Sequence, residues 1–344
     1  MTRHIVIGDI HGCYAELVDL LALVGPTSDD VIVSVGDLVD RGPDPARVID
    51  FFRTTPNTIA LTGNHERKHV RGVFSYAQEI TRVQLGARYA DDVAWMATLP
   101  YSLELPEAII VHAAVMPGVP LAEQKEEILC GSTSGEQDLE RTLGANRWWH
   151  EVYAGPKPVV FGHHVVEEPL VRPGLIYGID TGACHGQRLT ALVLPDFTLH
   201  SVPAREDHWA RIKRTYQADV LAAKPWIEMA WPDLDEQLGR FSRAGDARTH
   251  AYVTALRDWR DALERRLADV HEAAMREADR MTAAGDRTQL AKGHGAAALL
   301  FQHFRGRLDL DAVRKNAQTP YKLAQLSAAL GLPPLPVPAP SPRD

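Results

Sequence analysis

Three β-type stretches near the start of the chain each end in a polar loop, and their spacing constrains the fold more than any other feature. Stretches 5–7, 31–35 and 58–61 run into the motifs Gly8-Asp9-Ile10-His11-Gly12, Gly36-Asp37-Leu38-Val39-Asp40-Arg41-Gly42 and Gly63-Asn64-His65-Glu66. Asp37 follows Asp9 by 28 positions and precedes Asn64 by 27. Each interval fits one strand–helix–strand unit. Three parallel strands would therefore bring these loops to one rim, where open α/β sheets place their ligands.

The side chains predicted at this rim have the chemistry of a metal site. Carboxylate oxygens, imidazoles and an amide oxygen, without a thiolate, favour manganese, iron or zinc over a soft metal. A single carboxylate between two groups of ligands can bridge two ions ~3.5–4 Å apart, and Asp37 occupies that position. Later strands, ending at residues 111 and 161, add two more imidazoles. The predicted metal ligands are Asp9, His11, Asp37, Asn64, His112 and His163.

Three further residues of the same loops have the chemistry needed to act on a phosphate ester. Arg41 offers a forked donor for phosphate oxygens. His65 follows a predicted ligand directly, so it would lie close to the metals without binding them. If Asp40 holds and charges His65, the imidazole could protonate a leaving alkoxide.

Composition limits the compartment and the partners. The 344 residues suffice for one large domain or two, and a net charge of −8 argues against a dominant nucleic-acid surface, although a local basic groove stays open. No signal-peptide pattern and no apolar run of ~20 residues is found, which predicts a protein without a membrane span. Three cysteines, Cys13, Cys130 and Cys184, form no paired framework, so a reducing cytoplasm is expected.

The pattern changes twice along the chain. Residues 116–158 have poor periodicity and predict a cap inserted beside the site, within a first domain of residues 1–205. Residues 206–331 are almost wholly helical in pattern, with an apolar stripe at Leu256, Trp259, Leu263 and Leu267. Two further helices are predicted in this region, over residues 289–304 and 321–330. Residues 332–344 contain six prolines and predict a flexible tail. The helical region could serve oligomerisation, substrate docking or nucleic-acid contact, and the sequence does not choose among them.

Taken together, the ordered motifs resemble the calcineurin-like metallophosphoesterase superfamily, in particular its serine/threonine phosphoprotein phosphatase branch. Bacterial relatives in that branch include symmetrical diadenosine tetraphosphate hydrolases and the phosphatase module of polynucleotide kinase-phosphatase. The resemblance covers residues 3–205 and implies an α/β fold built as a four-layer β-sandwich with flanking helices. It also implies a binuclear metal centre bridged by Asp37, with His65 as general acid paired with Asp40, and Arg41 on phosphate.

The cap is similar to the end-healing phosphatase module through the stretch Leu129-Cys130-Gly131-Ser132-Thr133-Ser134-Gly135-Glu136 and through Asn146-Arg147-Trp148. By that similarity Arg147 would be a second phosphate contact, beside Arg41 and Asn64. Two positions depart from the family pattern, Ala114 in place of glycine and His164 in place of threonine. His164 could crowd or hydrogen-bond the site and so alter the choice of substrate. No Gly-x-x-x-x-Gly-Lys-Ser/Thr loop occurs, so no kinase module is expected in this chain.

The leading hypothesis is a metal-dependent phosphomonoesterase with two divalent ions, manganese expected and iron, zinc or nickel as alternatives. In it, a hydroxide held by the metals attacks phosphorus and His65 protonates the leaving group. Phosphoserine/phosphothreonine proteins and nucleotides are both open as substrates. A second hypothesis is symmetrical hydrolysis of a dinucleoside polyphosphate. A third, of another class, is a phosphate-sensing regulatory protein that acts through its helical region.

Overall fold

The chain folds into two compact units, Met1–Tyr216 and Gln217–Asp344. The computed structural model describes residues 2–145, 147–241, 247–285 and 287–338. The division lies after Tyr216 rather than at residue 205, because a helix at 208–215 belongs to the first unit, where His208 Nε2 lies 2.8 Å from Glu16 Oε1. No helix in the described parts of the chain combines the length and the apolarity that crossing a bilayer requires.

In the described part of the first unit, ten strands form two five-stranded sheets. In chain order they are β1 His4–Ile7, β2 Val31–Ser34, β3 Thr58–Ala60, β4 Ser102–Glu104, β5 Ile109–Val111, β6 Val159–Phe161, β7 Leu170–Arg172, β8 Ile176–Gly178, β9 Arg188–Leu194 and β10 Thr198–Pro203. The first sheet has the order β10-β9-β1-β2-β3 and the second has the order β4-β5-β6-β8-β7. Strands β1, β2 and β3 are parallel, as are β5, β6 and β8. The predicted three-strand rim is therefore present, and β7 is a strand that the sequence pattern did not indicate.

Nine α-helices accompany the sheets in the described part of the first unit. They are α1 Tyr14–Val24, α2 Pro45–Thr54, α3 Asn64–Val70, α4 Tyr76–Leu85, α5 Tyr89–Met96, α6 Glu126–Leu129, α7 Thr133–Leu143, α8 Trp149–Val152 and α9 His208–Thr215. Local chemistry accounts for several of their ends. Asp44 accepts the amide of Arg47 at 3.3 Å and Pro45 occupies the first position of α2, while Gly25 ends α1 in a left-handed conformation.

Side chains alternate along the strands and so separate three apolar cores. Val6, on β1, packs between the two sheets with Val33 and Val160, whereas its neighbours Ile5 and Ile7 face helices α1 and α2. A third core covers the outer face of the second sheet, where cap residues such as Ile128 and Trp149 meet Phe161. A helix–sheet–sheet–helix sandwich results, which confirms the predicted four-layer fold.

Seven helices make up the described part of the second unit. They are α10 Gln217–Ala222, α11 Trp231–Arg240, α12 Ala247–Ala283, α13 Arg287–Ala291, α14 Ala297–Phe304, α15 Leu310–Asn316 and α16 Pro320–Ala329. The predicted stripe on α12 is buried and continues through Val270, Ala274 and Ala278. The expected single helix over 289–304 is wrong: a turn at Gly293, with φ of +79°, separates α13 from α14.

The proline-rich tail lies against this unit as far as the structure describes it. Trp259 Nε1 donates to the carbonyl of Pro336 at 2.8 Å, and Arg266 donates to the carbonyl of Pro333. The tail up to residue 338 is thus hydrogen-bonded, which differs from the flexible tail predicted over 332–344. Residues 339–344 lie outside the described residues.

Candidate active site

The loop that carries Asp37 is held by one buried carboxylate from the neighbouring strand–helix junction. Glu66 accepts the amides of Leu38 and Val39 on Oε1, at 2.8 and 3.3 Å, and those of Asp37 and Gly63 on Oε2, at 2.9 Å each. Burial, together with the charge of Asp37, raises the pKa of Glu66. All four of its partners are N–H donors, however, and only the ionised carboxylate accepts from all of them. Glu66 therefore fixes the direction in which the Asp37 carboxylate points.

Backbone strain is concentrated at the site. Seven non-glycine residues in the described part of the chain have a positive φ, and five of them are His11, Asp37, Asp40, Arg41 and His163. Such conformations cost about 1–3 kcal/mol for most side chains and persist only where surrounding contacts determine them. Glycine is required beside them for a different reason: a Cβ on Gly63 would lie 2.1 Å from Asp37 Oδ1.

The two oxygens of Asp37 face two groups of predicted ligands. Oδ2 lies 3.6 Å from His11 Nε2 and 3.9 Å from His65 Nε2. Oδ1 lies 3.4 Å from His112 Nε2. Burial would raise the pKa of Asp37, but the surrounding imidazoles hold it below its ordinary value, so the carboxylate is ionised. One ionised residue thus lies between two clusters, as a bridging ligand would.

The second group contains three donor atoms at close range. Asn64 Oδ1 lies 3.1 Å from both His112 Nε2 and His163 Nδ1. Burial lowers the pKa of His112 to about 3, which leaves its ring neutral at physiological pH with a lone pair to donate. This donor set of an amide oxygen, two imidazoles and a carboxylate fits a divalent cation of intermediate hardness.

Asp9 is held differently from the other predicted ligands. Both of its oxygens lie 3.2 Å from the amide nitrogen of His163, and Gly162 is needed because a Cβ there would lie 2.0 Å from Asp9 Oδ1. The compact first group contains His65 with His11 and Asp37, and not Asp9. Burial, together with Asp180 and Asp37, raises the pKa of Asp9. A cation nearby would offset this repulsion, and the ligand role of Asp9 stays a prediction.

His65 and Asp40 form the pair that the sequence suggested. His65 Nδ1 lies 2.5 Å from Asp40 Oδ2, which leaves Nε2 facing Asp37 and His11. Asp40 is completely buried, and burial would raise its pKa. The hydrogen bonds from His65 and His69 instead hold the pKa of Asp40 well below its ordinary value. A permanent negative charge therefore lies behind the imidazole.

Arg41 lies beside the first group. Its Nη1 is 3.1 Å from His11 Nε2, and the side chain also bonds the buried Cys184, whose pKa burial raises to about 12. The thiol is therefore neutral, and the guanidinium keeps its charge. This position suits a phosphate contact, which stays a prediction.

The structure places the other predicted phosphate contact on the cap. Arg147 is exposed and lines a cavity of about 360 Å³ with Trp148, His164 and Glu136, while Asn146 lies outside the described residues. The ring of His164 is 4.7 Å from that of His163 and 5.1 Å from that of Trp148. His164 thus lies between a predicted ligand and the cap, and its effect on substrate choice, like the phosphate role of Arg147, stays a prediction.

Comparison with known proteins agrees with this geometry. The sequence model of the family described as calcineurin-like phosphoesterase matches residues 2–198. The chain belongs to this family. It is thus a metallophosphoesterase, a phosphoric ester hydrolase of a family that uses divalent metals.

Several relatives of this calcineurin-like phosphoesterase carry nucleotide-related names. The asymmetrical bis(5'-nucleosyl)-tetraphosphatase PrpE of Geobacillus thermodenitrificans is 30% identical over 247 residues, which covers 61% of this chain and 98% of that protein. The symmetrical bis(5'-nucleosyl)-tetraphosphatase of Shewanella baltica is 34% identical over 145 residues, 39% of this chain and 53% of that protein. A solved structure described provisionally as a diadenosine tetraphosphatase is 28% identical with a TM-score of 0.50, and covers 59% of this chain and 94% of that one.

The phosphoesterase site also contains residues to which sequence reasoning assigned no role. Glu66 and Gln78 each lie three residues after a helix N-cap. This is the spacing of a capping box, in which the side chain accepts the amide of the N-cap residue, so the sequence could have indicated that both side chains are hydrogen-bonded. Gln78 Nε2 donates to Asp40. His69 lies one helical turn after His65 and bonds Asp40 Oδ1 at 2.9 Å, so it is buried and structural. Glu136 Oε1 lies 3.0 Å from His163 Nε2, a contact that only the folded cap creates.

Proposed function

We propose that this phosphoesterase hydrolyses nucleoside polyphosphates with two divalent cations, for which manganese is the expected metal. The observation that carries the proposal is the position of Asp37 between two ligand groups, with one oxygen 3.6 Å from His11 Nε2 and the other 3.4 Å from His112 Nε2. A carboxylate so placed serves a two-metal centre better than a single ion.

Each ion would be held by its own set of side chains. His11 and Asp9 would hold the first, Asn64, His112 and His163 the second, and Asp37 both. When bound, the cations lower the pKa of water and neutralise charge on the phosphate oxygens. The chain's own contribution is to hold these ligands rigidly, through Glu66 and the strained loops, so that no reorganisation is needed when substrate binds.

Arg41 and His65 would act on opposite parts of the substrate. Arg41 would orient the attacked phosphate through its guanidinium. His65 would donate the proton on Nε2 to the departing oxygen, because Nδ1 is engaged by Asp40 and the buried charge of Asp40 stabilises the imidazolium. The pair would then regain its proton from water.

The relatives support a nucleotide substrate over a phosphoprotein. The asymmetrical and symmetrical tetraphosphatases named above both act, by name, on bis(5'-nucleosyl) tetraphosphates. Asymmetrical cleavage of such a substrate would give a nucleoside triphosphate and a monophosphate, and symmetrical cleavage would give two diphosphates.

A second candidate, hydrolysis of phosphomonoesters including phosphoserine and phosphothreonine, is favoured by one contact. The close His65–Asp40 pair is most useful for a poor leaving group such as an alkoxide, whereas a nucleotide leaves readily without a general acid. The regulatory hypothesis has less support, since His65, Asp40 and all predicted ligands are present.

We place this activity in the cytoplasm. Cys13, Cys130 and Cys184 are all unpaired and buried, which suits a reducing compartment. For the helical region, predicted as a domain over 206–331, docking of a substrate and oligomerisation both remain proposals.

Product analysis tests the proposal. Metal-free protein is reloaded with manganese and given diadenosine tetraphosphate, a phosphothreonine peptide, a nucleoside 2′,3′-cyclic phosphate, a 3′-phosphorylated oligonucleotide and an aryl phosphate. We expect turnover of the tetraphosphate to nucleotides at a higher kcat/KM than release of phosphate from the peptide. Preference for the peptide would support the phosphomonoesterase instead. Absence of turnover with two metals bound would revive the regulatory hypothesis.

A further inference from the structure

On one face of helix α3, basic side chains follow one another with increasing distance from the second group of predicted ligands, which contains Asn64. Asn64, Lys68 and Arg71 occupy positions i, i+4 and i+7, so they share a face of that helix and its C-cap. Together with Arg67 they line a cavity of about 350 Å³, whose other wall is formed by residues 131–134. Because Asn64 Oδ1 lies 3.1 Å from His112 and His163 nitrogens, the cavity begins at the predicted metal centre.

The lining of this basic cavity has one sign of charge. Among the described residues that line it, three are cationic and none is acidic. The nearest carboxylate partner is Glu127, which pairs with Arg67 and lies 3.5 Å from Arg71 Nη2. The hydrogen bond from His163 lowers the pKa of Glu136, and Lys68 adds to that shift. A net positive field therefore remains, and it attracts anions.

Arg67 provides an independent sign that a ligand belongs here. Its side chain is 5% exposed, and its Nε is buried without a hydrogen-bond partner in the described structure. A buried donor left without a partner costs about 1–3 kcal/mol, and more when the group is charged. The same guanidinium pairs with Glu127 through Nη2, so its position in the cavity wall is held while its charge adds to that of Lys68 and Arg71.

The opposite wall adds backbone donors. Ser132 caps the eleven-residue helix α7 by accepting the amide of Gly135 at 3.3 Å, and Thr133 and Ser134 form its first turn. The first amides of a helix have no intrahelical partner and carry part of the positive end of the dipole. This wall therefore favours negative charge as well, in addition to the three cations.

We propose that the basic cavity binds those phosphates of a nucleoside polyphosphate that lie beyond the phosphorus under attack. The inference rests on the proposed function and deepens it, because it assigns substrate length to side chains that hold no metal. A single phosphate would reach only the metal ligands and Arg41. Two or more further phosphates would extend along α3 past Lys68 to Arg71.

A paired substitution tests this assignment. The variant Lys68→Ala/Arg71→Ala removes two cations from the basic cavity, of which Lys68 is half-buried and Arg71 is exposed. Its matched control, Lys125→Ala/Arg141→Ala, removes one lysine and one arginine that are 65% and 74% exposed and pair with Asp138 elsewhere on the cap. Both variants change the net charge equally, so an effect of overall charge would appear in both.

Steady-state kinetics give the first readout. We expect the KM for diadenosine tetraphosphate to rise at least about tenfold in the cavity variant, with aryl phosphate KM and kcat within about twofold of the unaltered protein. The control should match the unaltered protein on both substrates. Equal changes on both substrates, or no change on the tetraphosphate, would overturn the proposal.

Calorimetric binding of inorganic tripolyphosphate, with free manganese held in excess, separates this proposal from the proposed function. Tripolyphosphate should bind the unaltered protein far more tightly than orthophosphate does, and the cavity variant should lose that difference. This result would hold even if diadenosine tetraphosphate proved not to be a substrate. Unchanged tripolyphosphate affinity in the cavity variant would refute the cavity assignment while leaving the hydrolase intact.

A change in the opposite direction sharpens the test. Glu127→Gln removes the carboxylate that pairs with Arg67 and Arg71, so tripolyphosphate should bind a few-fold more tightly. That gain should shrink as salt is raised, because exposed charges are screened. Weaker binding in Glu127→Gln would mean that the pair, rather than a phosphate, is the native partner of these arginines, and would count against the proposal.

Discussion

Two adjoining regions of the first unit, the rim around Asp37 and the basic cavity, both contain charged groups but hold them in opposite ways. At the rim, Asp37 and Asp40 are almost fully buried and bound by several partners. In the basic cavity, the Arg71 side chain is 55% exposed, and its Nη2 lies 3.5 Å from Oε1 of Glu127. The rim residues are thus fixed in place before a substrate binds, whereas an exposed cation such as Arg71 can exchange its carboxylate partner for a phosphate. Substitutions should therefore affect activity and stability at the rim, and substrate preference in the cavity.

The largest effect should follow from Asp37→Asn. Asparagine keeps the size of the side chain and tolerates the positive φ of 51° at this position, so the fold should survive. Loss of the bridging charge should remove bound metal and reduce kcat by about a thousandfold or more. Metal content and phosphate release are measured on the same preparation, beside the exposed control Asp29→Asn. Activity lost with full metal content would contradict a bridging role.

The next largest effect should follow from His65→Asn, and it should depend on the substrate. Without the general acid, hydrolysis of an alkyl phosphate should slow by about 10²–10⁴-fold, while an aryl phosphate with a good leaving group should slow much less. Bound metal should be retained. Equal losses of rate on the two substrates would contradict the assignment of His65 as the general acid. His65 would then be a ligand of the first group.

A third variant, Glu66→Gln, tests how the rim is held. An amide would turn one NH₂ group toward two backbone N–H donors, so the buried network should lose about 1–3 kcal/mol of stability. Thermal unfolding should shift downward, and metal affinity should fall because the Asp37 loop is less fixed. The exposed Glu123→Gln serves as control. An unchanged melting temperature would show that the loop does not depend on this carboxylate.

The smallest effect on activity should come from a buried pair that holds no predicted ligand, because that pair changes stability alone. Burial would raise the pKa of Glu16, but hydrogen bonds from His208 and the Arg205 amide lower it to about 2. Because the folded pKa is depressed from 4.5, the stabilisation is present above that value and lost as pH falls toward 2. The loss should be at most about 3 kcal/mol.

Thermal unfolding between pH 5 and pH 2, compared with Glu16→Gln, measures this contribution. The unaltered protein should lose its advantage over the variant as pH falls. Parallel pH profiles would mean that the Glu16–His208 pair does not contribute to stability. A buried, hydrogen-bonded carboxylate away from the rim would then not stabilise the fold as one at the rim does.

Much of the fold followed from local patterns, and the exceptions have physical causes. The parallel strands β1, β2 and β3 could be predicted because each apolar run ends in a loop of distinct chemistry. The break between α13 and α14 was missed because alanine and leucine on both sides continue the helical period through Gly293. β7 was missed because it is an edge strand whose side chains are half-buried or exposed, so it lacks the wholly apolar pattern of β5 and β6.

By itself, the sequence determined the order and spacing of the ligand-bearing loops, and with them the family and its chemistry. It could do so because each motif is contiguous and follows a strand. The tertiary structure alone decided that Glu66 collects amides from two loops, that Gly131 approaches His163, and that α3 faces residues 131–134 across a cavity. Apart from the Gly63 amide, which lies three residues from Glu66, those contacts join residues 27 or more positions apart. They depend on how the sheets and the cap pack rather than on any local pattern.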